Sequence, residues 1–387
     1  FTVDRNSTAT RVNSLGLIES VAANVPRLDY TDGNCPSLLL EQQGTNLFID
    51  GDDVASSQGV SNATISQNIV TSPKGDLSGA RFTENTSTGL HFARIGSVTS
   101  GESTISIFAK AEGRNRILLS KDFTNGVRFN LSSGIIDSYL GVGYTATIKS
   151  YGNEWYRITV TTTLSSGGTF YVLTLKDDSD NINYTGDGSS SVLLYGAQLE
   201  QSSVATSYIP TNGSTVTRLA DVVGKTGISD FIGQSEGSIF FDCKSEFNSL
   251  SRDISISDGT LNNRISMGFL SSDTRFSLQV IKNGVTQVSS TFITVDQSIN
   301  NKIALSYKQN NFKLFINGVL SFTDTSGDTF NGNTLDRLLF ERGNGQNFYT
   351  GKTKDLRVYK TALTDERLIY ITGTLNENYY NTYFDMS

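Results

Sequence analysis

The chain is poor in the residues from which most active sites are made. Its 387 residues include one histidine, two cysteines, two methionines and one tryptophan. The histidine, His91, stands between Leu90 and Phe92, and no Gly-x-Ser-x-Gly elbow accompanies it. A Ser-His-Asp or Cys-His site would have to use His91, which is expected instead as a structural residue in a strand. Cys35 and Cys243 lie far apart, and neither has metal-ligand spacing to the other or to His91. A zinc site is thereby excluded, and two free thiols are expected. Glycoside hydrolysis needs two carboxylates flanking the scissile bond. No Glu-x-Asp pair, which would put both on one face of a strand, occurs anywhere in the chain. P-loop and dinucleotide fingerprints are missing too. No apolar run approaches the ~20 residues that span a bilayer, so no membrane insertion is expected. The formal net charge of −7 repels phosphate backbones, which argues against nucleic acid as a partner. The chain opens on Phe1 rather than Met, as a fragment or processed chain would.

What is present reads as strand and turn. Hydrophobic residues make up 37% and charged residues 18%, enough to build cores and too little charge for disorder. The length suits two cores rather than one. Period-two alternation marks residues 103–109, 156–161 and 169–175 in the first half, and 237–242, 275–280 and 302–307 in the second. Asn125-Gly126, Asn283-Gly284 and Asn317-Gly318 are hairpin signals, because both central positions of a type I′ turn need positive φ. One stretch reads as helix: Thr364 as cap, Asp365 and Glu366 in the first turn, Gly373 at the end. The fold class is all-β: two antiparallel β-sandwiches preceded by an extended N-terminal arm. The divisions are residues 1–45 for the arm, 46–215 for the first sandwich, 219–373 for the second and 374–387 for an aromatic tail holding Tyr379, Tyr380, Tyr383 and Phe384.

Candidate binding residues are few. Sugar sites use aromatic platforms, which directs attention to the lone Trp155 and to Tyr144, Tyr151 and Tyr184 near turns. Trp155 leads directly into an alternating strand, so a core position is the competing reading. Calcium takes six to eight oxygens. Asp50-Gly51-Asp52-Asp53 could supply them, as could Asp177, Asp178, Asp180 and Asn181. Neither cluster has EF-hand spacing, and solvated turns look the same. Calcium is the one cofactor admitted, and only as an alternative to none.

Several segments resemble those of bacteriophage tail and minor structural proteins. They are Phe1-Thr2-Val3-Asp4-Arg5-Asn6-Ser7, Ala23-Asn24-Val25-Pro26-Arg27-Leu28-Asp29-Tyr30, Leu38-Leu39-Leu40-Glu41, Thr45-Asn46-Leu47, Tyr195-Gly196-Ala197-Gln198-Leu199-Glu200 and Ala205-Thr206-Ser207-Tyr208-Ile209-Pro210-Thr211. In that family such segments bracket a carbohydrate-binding-module-like jelly roll. The second half, through Lys313-Leu314-Phe315-Ile316-Asn317-Gly318 and the ending Asp355-Leu356-Arg357-Val358-Tyr359 with its short helix, resembles concanavalin A-like and laminin-G-like sandwiches. The resemblance implies a non-catalytic protein of a phage tail or head fibre, located on the virion and exposed to the host surface. Its implied partners are host-surface glycan, other virion proteins and copies of itself in a homotrimer. A purely structural spacer and a polysaccharide depolymerase are the alternatives. The apolar stretches 15–18 and 38–40 add a reason for association, since no local domain surrounds them. Far-UV circular dichroism should show a β-rich spectrum, and a helix content of a third or more would contradict this reading.

Overall fold

The computed structural model describes residues 1–56, 59–176, 181–245, 251–271, 274–297 and 299–373. The aromatic tail lies outside them. The described chain is all-β, and every pair of named strands is antiparallel. The alternating segments form strands as expected, because one face of each can be buried at a two-residue period.

The first sandwich has two six-stranded sheets. One runs in the spatial order Ile135–Leu140, Gly126–Asn130, Arg116–Ser120, Gly168–Leu175, Phe92–Val98, Val60–Ser61. The other runs Tyr144–Ser150, Tyr156–Leu164, Gly101–Glu112, Ser191–Glu200, Gly79–Glu84, Ala63–Val70. Between them lies a core that includes Phe82, Ile105, Ile107, Ile117, Leu119, Phe129, Ile158 and Leu194. The first sandwich's non-sequential strand order is the jelly-roll kind of connection.

The second sandwich has two seven-stranded sheets, and both take strands from the start of the chain. Thr2–Asp4 pairs with Val222–Thr226 at the edge of one sheet, with Thr2 opposite Gly224. Ser37–Leu40 pairs with Gly351–Tyr359 in the other, and Leu28–Asp29 adds a further strand beyond it. The segment expected as an extended arm is therefore stitched onto the second sandwich as edge strands. Leu38 and Leu40, which had no local partners in sequence, pack on that sandwich's core. The helix Asp365–Thr372, capped by Thr364, sets Leu368 and Ile371 on Phe240, Ala304 and Phe315 on the outer face of the same sheet. None of the described helices is long and apolar enough to cross a membrane.

All three signals mark hairpins, and in two of them the Asn-Gly pair itself makes the turn. Asn283 and Gly284 have φ of 51° and 75°, and Asn317 and Gly318 have 51° and 83°, the positive values a type I′ turn requires. Asn125-Gly126 does not turn. Gly126 starts the next strand, and the left-handed residue is Phe123 at φ 67°. The Asp122 carboxylate takes over the turn, accepting from the backbone N–H groups of Thr124 and Asn125. A local side-chain acceptor outcompeted the dipeptide preference.

At the junction of the two sandwiches lies a buried charge network. Arg5 Nη1 donates to Asp221 Oδ1 (2.8 Å), and Arg27 donates to Glu41 (2.6 Å) and to Asp221. Arg218 stands 3.5 Å from Glu41 and 3.8 Å from Asp221. All five side chains are almost fully buried. Ser207, from the joint after the first sandwich, donates to Glu41 through both N (2.6 Å) and Oγ (2.7 Å). Burial alone would push the Glu41 carboxyl up, but Arg27 and Arg218 overcome it and hold it at about 2, against an ordinary value of 4.5. Removing one partner strands an unpaired buried charge. Arg27→Ala should therefore cost about 3–5 kcal/mol of unfolding free energy in denaturant titration. Because the folded pKa of Glu41 lies below its unfolded value, its contribution is fully present above about pH 4.5. It is lost as pH falls toward 2. The melting temperature should drop across that window, and a flat profile would contradict the assignment.

Candidate functional site

A cleft with a volume of about 150 Å³ sits where three parts of the chain meet. Its floor is the outer face of the first sandwich. Strands Tyr144–Ser150 and Tyr156–Leu164 pair Thr147 with Thr159 and Lys149 with Arg157. Because Ala146, Ile148, Ile158 and Val160 pack toward the sandwich core, alternation sends these four side chains to the opposite face. The hairpin Ala9–Val12/Ile18–Val21 supplies one wall through Thr10, Arg11, Val12 and Ile18. The second sandwich supplies Lys352, and the segment it has recruited supplies Asp29 and Leu39.

Most charges at the cleft are paired. Arg11 meets Glu19 (2.6 Å), Lys352 meets Asp29 (2.8 Å) and Asp32 (2.6 Å), and Lys149 reaches Asp32 (3.3 Å). Burial would raise the Asp32 carboxyl, but Lys352 and Lys149 hold it down to about 2. Glu41 belongs to the junction network. Arg157 is different. It is 7% exposed, its Nη2 donates to Ser106 Oγ (2.9 Å) and its guanidinium stands 5.4 Å over the Phe108 ring. Its Nε has no hydrogen-bond partner, and no ion pair to it occurs among the described residues. The nearby Glu200 carboxyl is occupied by Gln198 and by the backbone N–H and hydroxyl of Thr206. Burial pushes its pKa up, while Gln198, Thr206 and Arg157 act against that shift.

The aromatic candidates are not gathered into one platform. Trp155 is 3% exposed and donates from Nε1 to the Thr71 carbonyl (3.2 Å). It is a core residue, though not of the layer between the sheets. It packs with Ile18, Phe108, Leu193, Tyr195 and Tyr208 on the outer face of the first sandwich. The cause is the turn before it, in which Gly152, Asn153 and Glu154 all have positive φ. Tyr184 is likewise buried. Its hydroxyl donates to Glu84 (2.8 Å), and its ring lies 4.4 Å from the ring of His91. Neither Trp155 nor Tyr184 offers an open ring face to a sugar, which corrects their candidacy. Tyr144 packs onto the core of the first sandwich, and burial raises its hydroxyl pKa to about 12. Only Tyr151 lines the cleft, edge-on to Phe108 at 4.9 Å. His91 is structural, with its two nitrogens against the carbonyls of Asn62 (2.7 Å) and Tyr184 (3.2 Å).

The acidic clusters do not make a metal centre where they can be seen. Asp52 accepts from the hydroxyls of Tyr208 (2.6 Å) and Tyr195 (3.2 Å), and Asp53 from the N–H of Ala55. Asp177, Asp178 and Asp180 lie outside the described residues, while Asn181 is exposed and accepts from the N–H of Asn183 (2.9 Å). Among the described residues no group of three or more His, Cys, Asp or Glu could hold a metal ion. Cys35 is exposed and Cys243 buried, both as free thiols.

Sequence reasoning missed Arg157. In sequence it is one polar residue of an alternating strand. The segments that gather over that face, the N-terminal hairpin and the joint residues 205–208, are distant in sequence from it.

Residues 234–368 match the model of the concanavalin A-like lectin/glucanases superfamily, so the second sandwich is similar to concanavalin A-like domains. No curated protein matches the chain. Among solved structures, it is similar to the CBM40 of the Ruminococcus gnavus IT-sialidase bound to alpha2,3 sialyllactose. Identity there is 20%, with 36% of this chain and 84% of that one covered at a TM-score of 0.31. Domain 4 of AbnA, a GH43 extracellular arabinanase from Geobacillus stearothermophilus in complex with arabinotriose, is 17% identical. It covers 44% and 82% at 0.33. Domains LG4-5 of the mouse laminin alpha1 chain are 8% identical, covering 80% and 93% at 0.26.

Trp155→Ala should lower the unfolding free energy by about 3–5 kcal/mol, the cost of emptying a large buried site. Denaturant titration measures it, and a change within about 0.5 kcal/mol would place the ring outside the packed layer.

Proposed function

We propose that the chain is a non-catalytic, glycan-binding protein of a bacteriophage tail or head fibre that acts at the host surface as a homotrimer. The observation that carries the glycan-binding part is the match of residues 234–368 to a lectin-type domain, set beside a polar cleft whose lining mixes hydroxyls, charges and aromatic edges. The virion part rests on the N-terminal and joint motifs quoted above. The same family description covers glucanases, so the carboxylates matter. In the second sandwich Asp253 and Glu341 are buried, and both are spent on structure. Asp253 accepts from Arg342 (2.9 Å) and Asn347 (3.0 Å), and Glu341 accepts from four successive backbone N–H groups of residues 343–346. That favours binding over hydrolysis, which needs one proton-donating and one free carboxylate across a bond.

The full chain, labelled and applied to an array of bacterial surface polysaccharides, should be retained on a subset. Retention on none would overturn the glycan-binding reading. A reducing-sugar assay on the retained polysaccharides should show no release. Turnover abolished by substituting a carboxylate pair would make the protein a depolymerase. Light scattering with on-line chromatography should give three times the 42.0 kDa chain mass, and a monomer at micromolar concentration would refute trimer formation by this chain alone.

A further inference from the structure

We infer that the junction cleft is an anion-recognition site whose ligand is the carboxylate of an acidic sugar, held by Arg157. The inference rests on the glycan-binding reading and names the chemical class that this site selects. Arg157 is 7% exposed as a residue, and a guanidinium taken out of water loses hydration that a counter-charge or full hydrogen bonding restores. No carboxylate stands within ion-pair distance of Arg157 among the described residues, and the Glu200 carboxylate that attracts it from further off is bonded to Gln198 and Thr206. Arg157 makes one side-chain hydrogen bond, to a neutral hydroxyl, and its Nε is left over. The other cations at the cleft, Arg11, Lys149 and Lys352, already have carboxylates, so the unbalanced charge is this one. The two carboxylates of the lining, Asp29 and Glu41, are committed to Lys352 and to the junction arginines. A planar guanidinium recognises a carboxylate through two parallel N–H bonds.

The surroundings specify a sugar acid rather than a bare anion. Thr147 and Thr159, whose hydroxyls are 2.6 Å apart, offer donors and acceptors to sugar hydroxyls. Tyr151 and Phe108 give an apolar edge. At about 150 Å³ the cleft is smaller than the roughly 300–1,000 Å³ of drug-sized sites, so it takes one terminal unit and not a run of the chain.

Calorimetric titration of the full chain with a glucuronate-terminated disaccharide, its glucose-terminated counterpart, sodium acetate and sodium sulfate tests the assignment. The uronate sugar should bind at least about tenfold more tightly than the neutral sugar and than acetate or sulfate, the loss expected when a charge-assisted bidentate pair is removed. Arg157→Gln should abolish that preference, and Arg157→Lys should restore only part of it. Melting of Arg157→Gln gives the second readout. Relieving an unpaired buried charge should leave the melting temperature unchanged or higher, whereas a purely structural arginine would lower it. If Arg157→Gln does not fold, Thr147→Ala at the exposed rim should still weaken the uronate sugar several-fold and leave acetate unmoved. Equal binding of acetate and uronate overturns the sugar assignment. Array retention of neutral glycans alone, insensitive to Arg157→Gln, overturns this inference and leaves the glycan-binding reading standing. Retention of no saccharide overturns both.

Discussion

Everything about how the two sandwiches meet depends on five buried charges. Arg5, Arg27 and Arg218 face Glu41 and Asp221 with almost no water present. Each ion would be costly to bury alone, and attraction at close range repays that best when the remaining donors are also satisfied. Most are here, the Nε atoms of Arg27 and Arg218 excepted. Arg5 reaches the carbonyls of Ser7, Ala22 and Val25, and Arg218 those of Gln42 and Leu219. Three positive groups against two negative ones would be unbalanced in isolation. The ring of carbonyl dipoles offsets part of the excess.

That network explains a topology that would otherwise be fragile. The strands at the start of the chain are two to four residues long and could not hold their register by side-chain pattern alone. Several of them, and their partners, border a member of the network. Arg5 follows Thr2–Asp4, Glu41 follows Ser37–Leu40, Arg218 closes Val216–Arg218, and Asp221 precedes Val222–Thr226. A one-residue slip in any of these pairings would draw a buried charge away from its partner. The charges thus set register where hydrophobic alternation is too short to do so. The recruited strands in turn cover edges of the second sandwich that would otherwise be open to pairing with another chain.

The same contrast decides what could be read in the sequence. Long alternating runs such as 103–109 and 302–307 announced themselves because their period matches the pleat over enough residues. The helix at 365–372 was legible from its cap. The edge strands were not, since three residues carry no period and Thr2 finds its partner at Gly224. The quoted N-terminal and joint motifs were visible, but not what they do. Arg5, Arg27, Glu41 and Ser207 are the junction itself. Gly196, at φ 62°, sits where a Cβ would come within 2.9 Å of the Phe108 ring. Trp155 shows the opposite failure. An aromatic at a turn looked available, and left-handed residues at 152–154 folded it under the N-terminal hairpin. Of the cleft, only Tyr151 was anticipated, because its charged residues come from segments that sequence distance separates.

The cleft inherits its character from this junction. Arg157 projects from the outer face of its sheet, beside the hairpin at 9–21 and the joint residues 205–208 that line the same cleft. The hairpin is held there by Thr10, whose hydroxyl donates to the Tyr208 carbonyl (2.5 Å), and by Asp29, which accepts from the Val12 N–H (2.9 Å). Asp29 is also the partner of Lys352 on the second sandwich. A ligand bound there touches the first sandwich, the hairpin and the second sandwich at once. Whatever binds the assembled junction and not the separated parts stabilises the assembly by RT ln(1 + [L]/Kd), about 2.7 kcal/mol at a hundredfold excess over Kd. Recognition and the cohesion of the two domains are then two readings of one equilibrium. In an attachment protein, this would make the domain junction firmest while the cleft is engaged.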